Sequence, residues 1–159
     1  MDVMNFALEE SLEITHSDLG YVAFYDKELD ALLMYGWSKS AMRMCNVHTQ
    51  PIVYPMRTAG LWGEAVRQRK AIITNDYDAP SPLKKGLPHG HLLFKRHMNI
   101  PVFDPDTKEI VIVAGVGNTK LDSKPYTEQD CESLIIHYST VWPSVKNAVS
   151  AHLKSPSNK

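Results

Sequence analysis

The sequence predicts an α+β domain built on one antiparallel β-sheet. Segments with the hydrophobic periodicity of amphipathic helices stand at both ends of the chain, and two strand–turn–strand patterns lie between them. The chain has 159 residues, 43% of them apolar, which is enough to bury a core without disulfides or metals. We therefore predict a single domain over residues 1–153, followed by a disordered tail at 154–159.

The N-terminal part is predicted as a helix, a hairpin and two short elements. Apolar residues at helical spacing predict a helix over 2–15. Aromatic and β-branched residues predict a strand over 21–25, which turns into a second strand over 29–37. Good helix formers favour one or two helical turns within 38–46, before two prolines forbid continuation, and a short edge strand over 52–54 follows.

The middle of the chain combines a short helix, a strand and a long loop. We expect Thr58 to cap a helix over 61–69, whose first turn is weakened by glycines. A strand over 71–74 follows. The next stretch, 75–90, holds prolines and glycines among polar residues and lacks periodicity. Loops of this length inside compact domains are usually functional or mobile.

The C-terminal part is predicted as a second hairpin and a closing helix. Strands over 97–103 and 109–117 flank a turn rich in Asp, and Pro101 should lie at an edge or bulge, where its missing donor does no harm. Thr127 is expected to cap the closing helix, with an acidic residue three positions further on. We expect Pro143 to kink or restart that helix.

Composition and charge exclude several classes of protein. Lys and Arg total 17 against 18 Asp and Glu, so the chain lacks the basic excess that nucleic-acid binding requires. The longest apolar run, 110–117, is far shorter than the roughly 20 residues that span a bilayer. Asp2 stands where a signal peptide carries basic residues, which predicts a cytoplasmic protein. Cys45 and Cys131 form no Cys-x-x-Cys pair, so neither a disulfide framework nor a zinc cage is indicated.

Six sequence blocks, taken in order, carry a family resemblance. They are residues 37–40, 51–54, 60–66, 73–77, 97–103 and 113–118. These blocks resemble the GAF domains of bacterial and archaeal sensor histidine kinases, and the resemblance extends from Met4 to Trp142. The closing signature of that family, Asn-Lys followed by an aromatic residue, Ser or Thr, and Asp, is present in a loosened form between Asn118 and Asp130.

The resemblance implies a fold and a role. GAF domains have a central antiparallel sheet with the terminal helices on one face and a roofed ligand pocket on the other. In this chain the roof would consist of residues 37–54 and 75–97. The resemblance also implies a non-enzymatic sensory module of signal transduction, as in two-component systems, which binds a small molecule or cofactor. Its partner would be a histidine kinase or another output domain, and a homodimer is expected.

The candidate ligand-binding residues lie in or beside the roof segments. They are Trp37, Met44, Cys45, Trp62, Tyr77, His91, His97 and Asn99. His97 and Asn99 alternate along a strand and should therefore point to one sheet face. If that face is the pocket floor, the two side chains would contact a ligand. If it is the helix-covered face, they must be satisfied within the core.

Cys45 and His91 raise an alternative function, a haem-based redox or gas sensor. Imidazole and thiolate are side chains that haem iron prefers. His91 would be the axial ligand, with His97 as the second choice, and Cys45 would be a second ligand or a covalent link to the haem. A solvated loop histidine and a small buried cysteine are the structural alternatives for these residues.

Two further functions are open. The free methionine-(R)-sulfoxide reductases are GAF enzymes whose chemistry needs a nucleophilic cysteine and resolving cysteines in neighbouring roof segments. The inferred fold places Cys131 on the terminal-helix side, where it cannot readily resolve Cys45. A dimerisation scaffold is the other function, because the closing helix carries two apolar stripes, Leu134-Tyr138-Val141-Val145-Ala148 and Ile135-Trp142-Val149.

Overall fold

The computed structural model describes residues 2–44, 53–85 and 93–153. Its first and last described elements are helices, and six strands lie between them. In chain order the elements are α1 (Val3–Thr15), β1 (Leu19–Asp26), β2 (Ala31–Trp37), α2 (Lys39–Met44), β3 (Val53–Pro55), a 3₁₀ turn (Leu61–Gly63) that runs into α3 (Glu64–Gln68), β4 (Ile72–Thr74), β5 (Arg96–Phe103), β6 (Ile110–Asn118) and α4 (Glu128–Leu153).

All six described strands join one antiparallel sheet with the order β3-β2-β1-β6-β5-β4. Both predicted hairpins are present, because β1 pairs with β2 and β5 pairs with β6. The short strands β3 and β4 form the two edges. The α+β class and the antiparallel sheet predicted from the sequence are therefore confirmed.

The terminal helices α1 and α4 cover one face of the sheet, here called the helix face. Their buried residues pack against the alternate positions of β1, β5 and β6 that point toward them, among them Met98 and Ile100. The buried side of α4 forms one stripe that takes residues from both of the predicted apolar stripes, because residues spaced three and four apart along one path share a helix face. This stripe consists of Cys131, Leu134, Tyr138, Trp142, Val145 and Val149.

Both terminal helices begin with side-chain caps, of which the one at Thr127 was predicted. The N–H of Met4 donates to Asp2 Oδ1 at 3.0 Å at the start of α1. At the start of α4, the N–H of Thr127 donates to Asp130 Oδ2 at 2.7 Å, and the N–H of Asp130 donates to Thr127 Oγ1 at 3.3 Å. These reciprocal bonds form a capping box, which satisfies backbone donors that the helix itself leaves unpaired.

Thr58 and Pro143 differ from their predicted roles. Thr58 caps no helix, because its Oγ1 donates to the Pro55 carbonyl at 3.0 Å and Gly60 precedes the 3₁₀ turn instead. Pro143 does not restart the closing helix, since α4 runs unbroken through it. Asp104 holds the helix on both sides of the proline, accepting from Trp142 Nε1 at 2.8 Å and from Lys146 Nζ at 2.8 Å.

Pro101 lies where a proline can be tolerated within a sheet, as predicted. The edge strand β4 pairs only with residues 97–99 of β5, so Pro101 lies beyond the end of that pairing. Its missing N–H therefore removes no bond to β4. Within the described ranges, no helix is both long enough and apolar enough to cross a membrane.

Candidate functional site

The face of the sheet opposite the terminal helices, here called the roof face, carries a connected group of aromatic rings. We call this group the roof-side cluster, and it consists of Tyr21, Trp37, Tyr54, Trp62, Tyr77, Phe94 and His97. Tyr21 is its centre, because its ring lies 5.8 Å from the rings of both Trp37 and Trp62 and is stacked on His97 at 6.2 Å. Tilted and edge-to-face contacts of this kind are favourable arrangements of aromatic rings.

Strand register explains why Tyr21 lies flat across the sheet. Tyr21 of β1 is paired with Gly115 of β6, and Gly115 is paired with Asn99 of β5. A Cβ atom at Gly115 would lie 2.2 Å from Tyr21 Cε1, so the ring occupies the space above the glycine. A glycine within a central strand thus marks a close approach of another group, and here it brings a phenol ring from the next strand over β6.

His97 and Asn99 point to the roof face, which decides between the two alternatives that the sequence left open. His97 is buried, and its ring contacts Tyr21, Tyr77 and Phe94. Asn99 is fully buried, and its Nδ2 donates to the Trp62 carbonyl at 2.7 Å. Both side chains therefore lie on the roof face rather than in the core under the helices.

Tyr77 forms one wall of the cluster, and Lys84 supports it. The ammonium of Lys84 lies 4.7 Å from the centre of the Tyr77 ring, and it also donates to the carbonyls of Tyr77 and Ala79. A cation over an aromatic face is an attractive contact that orients the ring. Burial raises the pKa of the Tyr77 phenol above its usual value, so it stays neutral at physiological pH.

Two buried oxygen atoms on the roof face have no hydrogen-bond partner among the described residues. They are Tyr21 Oη and Asn99 Oδ1, on side chains that are 4% and 0% exposed. Burial is also the main reason that the pKa of Tyr21 is raised, with Tyr77 adding to it. The phenol therefore stays protonated and can both donate and accept. Unpaired buried polar groups are uncommon in folded proteins, and each one marks a position where a ligand or water could bind.

Five of the eight residues predicted to bind a ligand lie on or under this cluster: Trp37, Trp62, Tyr77, His97 and Asn99. Met44, on α2, is 47% exposed. Cys45 and His91 lie outside the described residues, as does the predicted tail at 154–159. Residues 75–85 of the predicted loop form turns and coil.

Sequence reasoning missed Tyr21 and Tyr54. Tyr21 was read only as part of a strand, and its place at the centre of the cluster depends on pairing with a distant strand. Two glycines at alternate positions of β6, Gly115 and Gly117, were an available signal. A Cβ atom at Gly117 would lie 2.7 Å from Phe94 Cδ1, so both glycines make room for aromatic rings on the same face.

Comparison with known proteins decides the family. The family model described as the GAF domain matches residues 2–142. The chain belongs to the GAF domain family. The methyl sulfide methyltransferase-associated sensor of Methanosarcina acetivorans is 49% identical over 145 residues. This match covers 91% of the chain but 14% of that protein, so the chain spans only a small part of the relative's length.

Solved structures share the GAF fold at low identity. The GAF domain/HD domain protein from Geobacter sulfurreducens has a TM-score of 0.69 and 12% identity, over 96% of this chain and 92% of that one. The free methionine-R-sulfoxide reductase from Neisseria meningitidis, solved with its substrate, has a TM-score of 0.65 and 15% identity, over 92% and 81% of the two chains. The chain is thus similar in sequence to a protein named as a sensor and shares its fold with a protein named as an enzyme.

Cys131 of this GAF domain lies on the helix face, as predicted. Its Sγ lies 3.3 Å from Met98 Sδ in the buried core beneath α4. Burial, followed by the charge of Asp130, raises the pKa of its thiol to about 11, which keeps it in the unreactive protonated form. The sheet separates Cys131 from the roof-side cluster, so this thiol is placed to pack rather than to react there.

A cleft of about 540 Å³ lies next to α3, and none of the roof-side cluster residues is among those that line it. Residues from the β1–β2 turn, α3 and 82–85 line it, and the buried Glu64 carboxylate lies in its wall. The oxygens of Glu64 accept from Arg67 Nε at 2.5 Å and from Gln68 Nε2 at 2.9 Å. Arg67 also donates to the carbonyls of Met56, Ala59 and Gly60, so this ion pair fixes the connection between β3 and α3.

Proposed function

We propose that the chain is a sensory GAF module that binds a planar small molecule or cofactor over the roof face. The observation that carries this proposal is the pair of unpaired buried oxygens, Tyr21 Oη and Asn99 Oδ1, within a group of aromatic rings. Leaving a buried polar group unpaired costs about 1–3 kcal/mol. A flat molecule that supplied hydrogen bonds to both atoms would offset this cost and stack on the rings around them.

A physical route connects the roof face to the terminal helices. Strand β5 carries His97 and Asn99 on the roof face and Met98 on the helix face, where Met98 contacts Cys131 of α4. At the end of β5, Asp104 binds Trp142 and Lys146 of the same helix. A ligand that shifts β5 would therefore change the packing of α4, because packed elements move as units.

The output of this module would be a separate domain rather than a reaction of its own. We propose that α4 leads to a histidine kinase or another signalling domain, as in two-component systems, and that two copies form a homodimer. The sensor from M. acetivorans supports this, because only 14% of its length corresponds to the present chain. The position of Cys131 on the helix face favours a binding role over a sulfoxide reductase.

A thermal-shift screen with planar compounds tests the binding role. Flavins, pterins, purines and indoles are added singly to the purified protein, and a true ligand raises Tm, since a ligand that binds the folded state stabilises it by RT ln(1 + [L]/Kd). Replacing Trp62 with Leu should abolish the shift. Replacing Phe6, which is 47% exposed on α1, with Leu should leave it unchanged. A shift that survives Trp62→Leu would place the ligand elsewhere.

Haem is the second candidate ligand, because the aromatic rings of the cluster suit a flat apolar macrocycle. The sequence also provides a thiol, Cys45, and an imidazole, His91, in the two predicted roof segments. His91 would hold the iron, with His97 as the alternative, and Cys45 would be a second ligand or a covalent link. Trp37, Met44, Trp62 and Tyr77 would supply apolar surroundings. A bound haem would supply an iron whose oxidation state or gas ligand can change.

Reconstitution with hemin tests this candidate. We expect an intense Soret band that remains after gel filtration and shifts on reduction. His91→Ala should alter the reduced spectrum, and Cys45→Ala should make any retained pigment extractable by acidified solvent. Cys131→Ala and His137→Gln, on the helix face, are the matched controls and should leave the spectrum unchanged. A protein without the band excludes haem and leaves other planar ligands as the proposal.

A further inference from the structure

The side-chain amide of Asn99 has one orientation that its surroundings allow. Its Nδ2 lies 2.7 Å from the Trp62 carbonyl oxygen. A carbonyl oxygen can only accept, so the nitrogen and not the oxygen of the amide must face it. The orientation of this amide therefore follows from its partner and does not depend on telling nitrogen from oxygen. Asn99 Oδ1 points away from Trp62 and has no donor among the described residues.

The surroundings of Asn99 Oδ1 favour a neutral donor over a charged one. Tyr21, across Gly115 from Asn99, contributes a neutral phenol, and its ring contacts the rings of Trp37, Trp62 and His97. The buried carboxylate on this side of the sheet, Glu64, has its oxygens occupied by Arg67 and Gln68. Lys84 stacks on Tyr77 and donates to two backbone carbonyls.

We infer that Asn99 is the residue that selects the ligand, and that the ligand is a flat heteroaromatic molecule with a ring N–H that donates to Asn99 Oδ1. This inference rests on the proposed function and adds the ligand's hydrogen-bonding pattern to it. An analogue that lacks the N–H leaves the buried oxygen unpaired when it binds, so the site rejects it. The Tyr21 hydroxyl accommodates either a donor or an acceptor and is less selective.

Matched pairs of small probes test the inference. The first comparison sets benzimidazole against N-methylbenzimidazole. The second sets indole against two analogues without an N–H, N-methylindole and benzofuran. All five compounds are flat and bicyclic, and within each comparison they differ at the N–H. Their dissociation constants are measured by NMR titration, in which the side-chain Nδ2 signals of Asn99 report on contact with that residue. We expect each N–H compound to bind at least about tenfold more tightly than its partners without the N–H. In Asn99→Leu the difference should fall to about twofold or less.

The outcomes separate the inference from the function on which it rests. Equal binding of the two members of each pair, with the signals of the cluster shifting, keeps the roof-face site and overturns the role of Asn99. A preference for N–H compounds that persists in Asn99→Leu also overturns it. Absence of binding by every flat probe would count against both the site and the inference. Because the comparison within pairs uses the unaltered protein, it decides the question even if Asn99→Leu fails to fold.

Discussion

Replacing Asp104 with Asn should loosen the second half of α4 from the sheet. Oδ1 of Asp104 accepts from the N–H groups of Asp106 and Thr107 at 2.9 and 3.0 Å. Oδ2 accepts from Trp142 Nε1 and Lys146 Nζ, both at 2.8 Å. All four partners are donors, and Asn provides only one acceptor oxygen. Whichever way the new amide turns, its NH₂ group faces two donors, and a carboxylate held by charge-assisted bonds is lost.

Hydrogen exchange along α4 measures this loosening. We expect the amides from 144 to 151 in Asp104→Asn to exchange faster by about tenfold or more, with smaller changes before Pro143, since the second half of the helix depends on Asp104 for its attachment. Glu109→Gln is the matched control, because the Lys27–Glu109 ion pair is exposed and such pairs contribute little. Unchanged exchange in Asp104→Asn would mean that α4 stays attached without the carboxylate.

The same variant should change how stability depends on acid. The hydrogen bond from Lys146, followed by those from Thr107 and Trp142, holds the pKa of Asp104 well below its usual range. Its contribution is therefore complete above the unfolded pKa of about 3.9 and is lost as the pH falls from there through the lower folded pKa. The urea midpoint should therefore decrease less between neutral pH and about pH 3 in Asp104→Asn than in the unaltered protein.

The relation between Asp104 and Pro143 shows which features of the fold a sequence can and cannot reveal. Thr127 was predictable as a cap because a cap acts on backbone groups within a few residues. Pro143 was expected to kink or restart the helix because proline removes a local bond and clashes with the preceding turn. The contacts that hold the helix on both sides of it come from a distant turn, and local sequence carries no trace of them.

The residues of the roof face were partly predictable, because some of them follow from a local strand pattern and others depend on long-range pairing. Alternation along one strand placed His97 and Asn99 together correctly, and five of the eight predicted residues lie on or under the roof-side cluster. Which face of the sheet they occupy depends on where the terminal helices pack, and a single strand pattern does not contain that information. Tyr21 was missed because its position follows from the pairing of β1 with β6.

Tyr21→Phe should make the ligand-free protein more stable, in contrast to most substitutions of a buried tyrosine. The hydroxyl of Tyr21 has no partner in the described structure, so removing it removes a desolvation cost of about 1–2 kcal/mol and no bond. Tyr138 is the matched control, since it is equally buried and its hydroxyl lies 2.9 Å from Ser11 Oγ in a hydrogen bond. Tyr138→Phe should therefore lose about 1 kcal/mol.

Urea unfolding measures the change in the free energy of unfolding for each variant, which we expect to be a gain for Tyr21→Phe and a loss for Tyr138→Phe. The two changes can be compared because each substitution removes one oxygen atom and leaves the ring in place. A planar ligand found by the thermal-shift screen should bind Tyr21→Phe more weakly, although that variant is the more stable protein. A gain in stability accompanied by a loss of binding is typical of a residue retained for function at a cost to the fold. If Tyr21→Phe instead loses stability as Tyr138→Phe does, the Tyr21 hydroxyl has a partner in the folded protein, and the roof face is a packed core without a ligand.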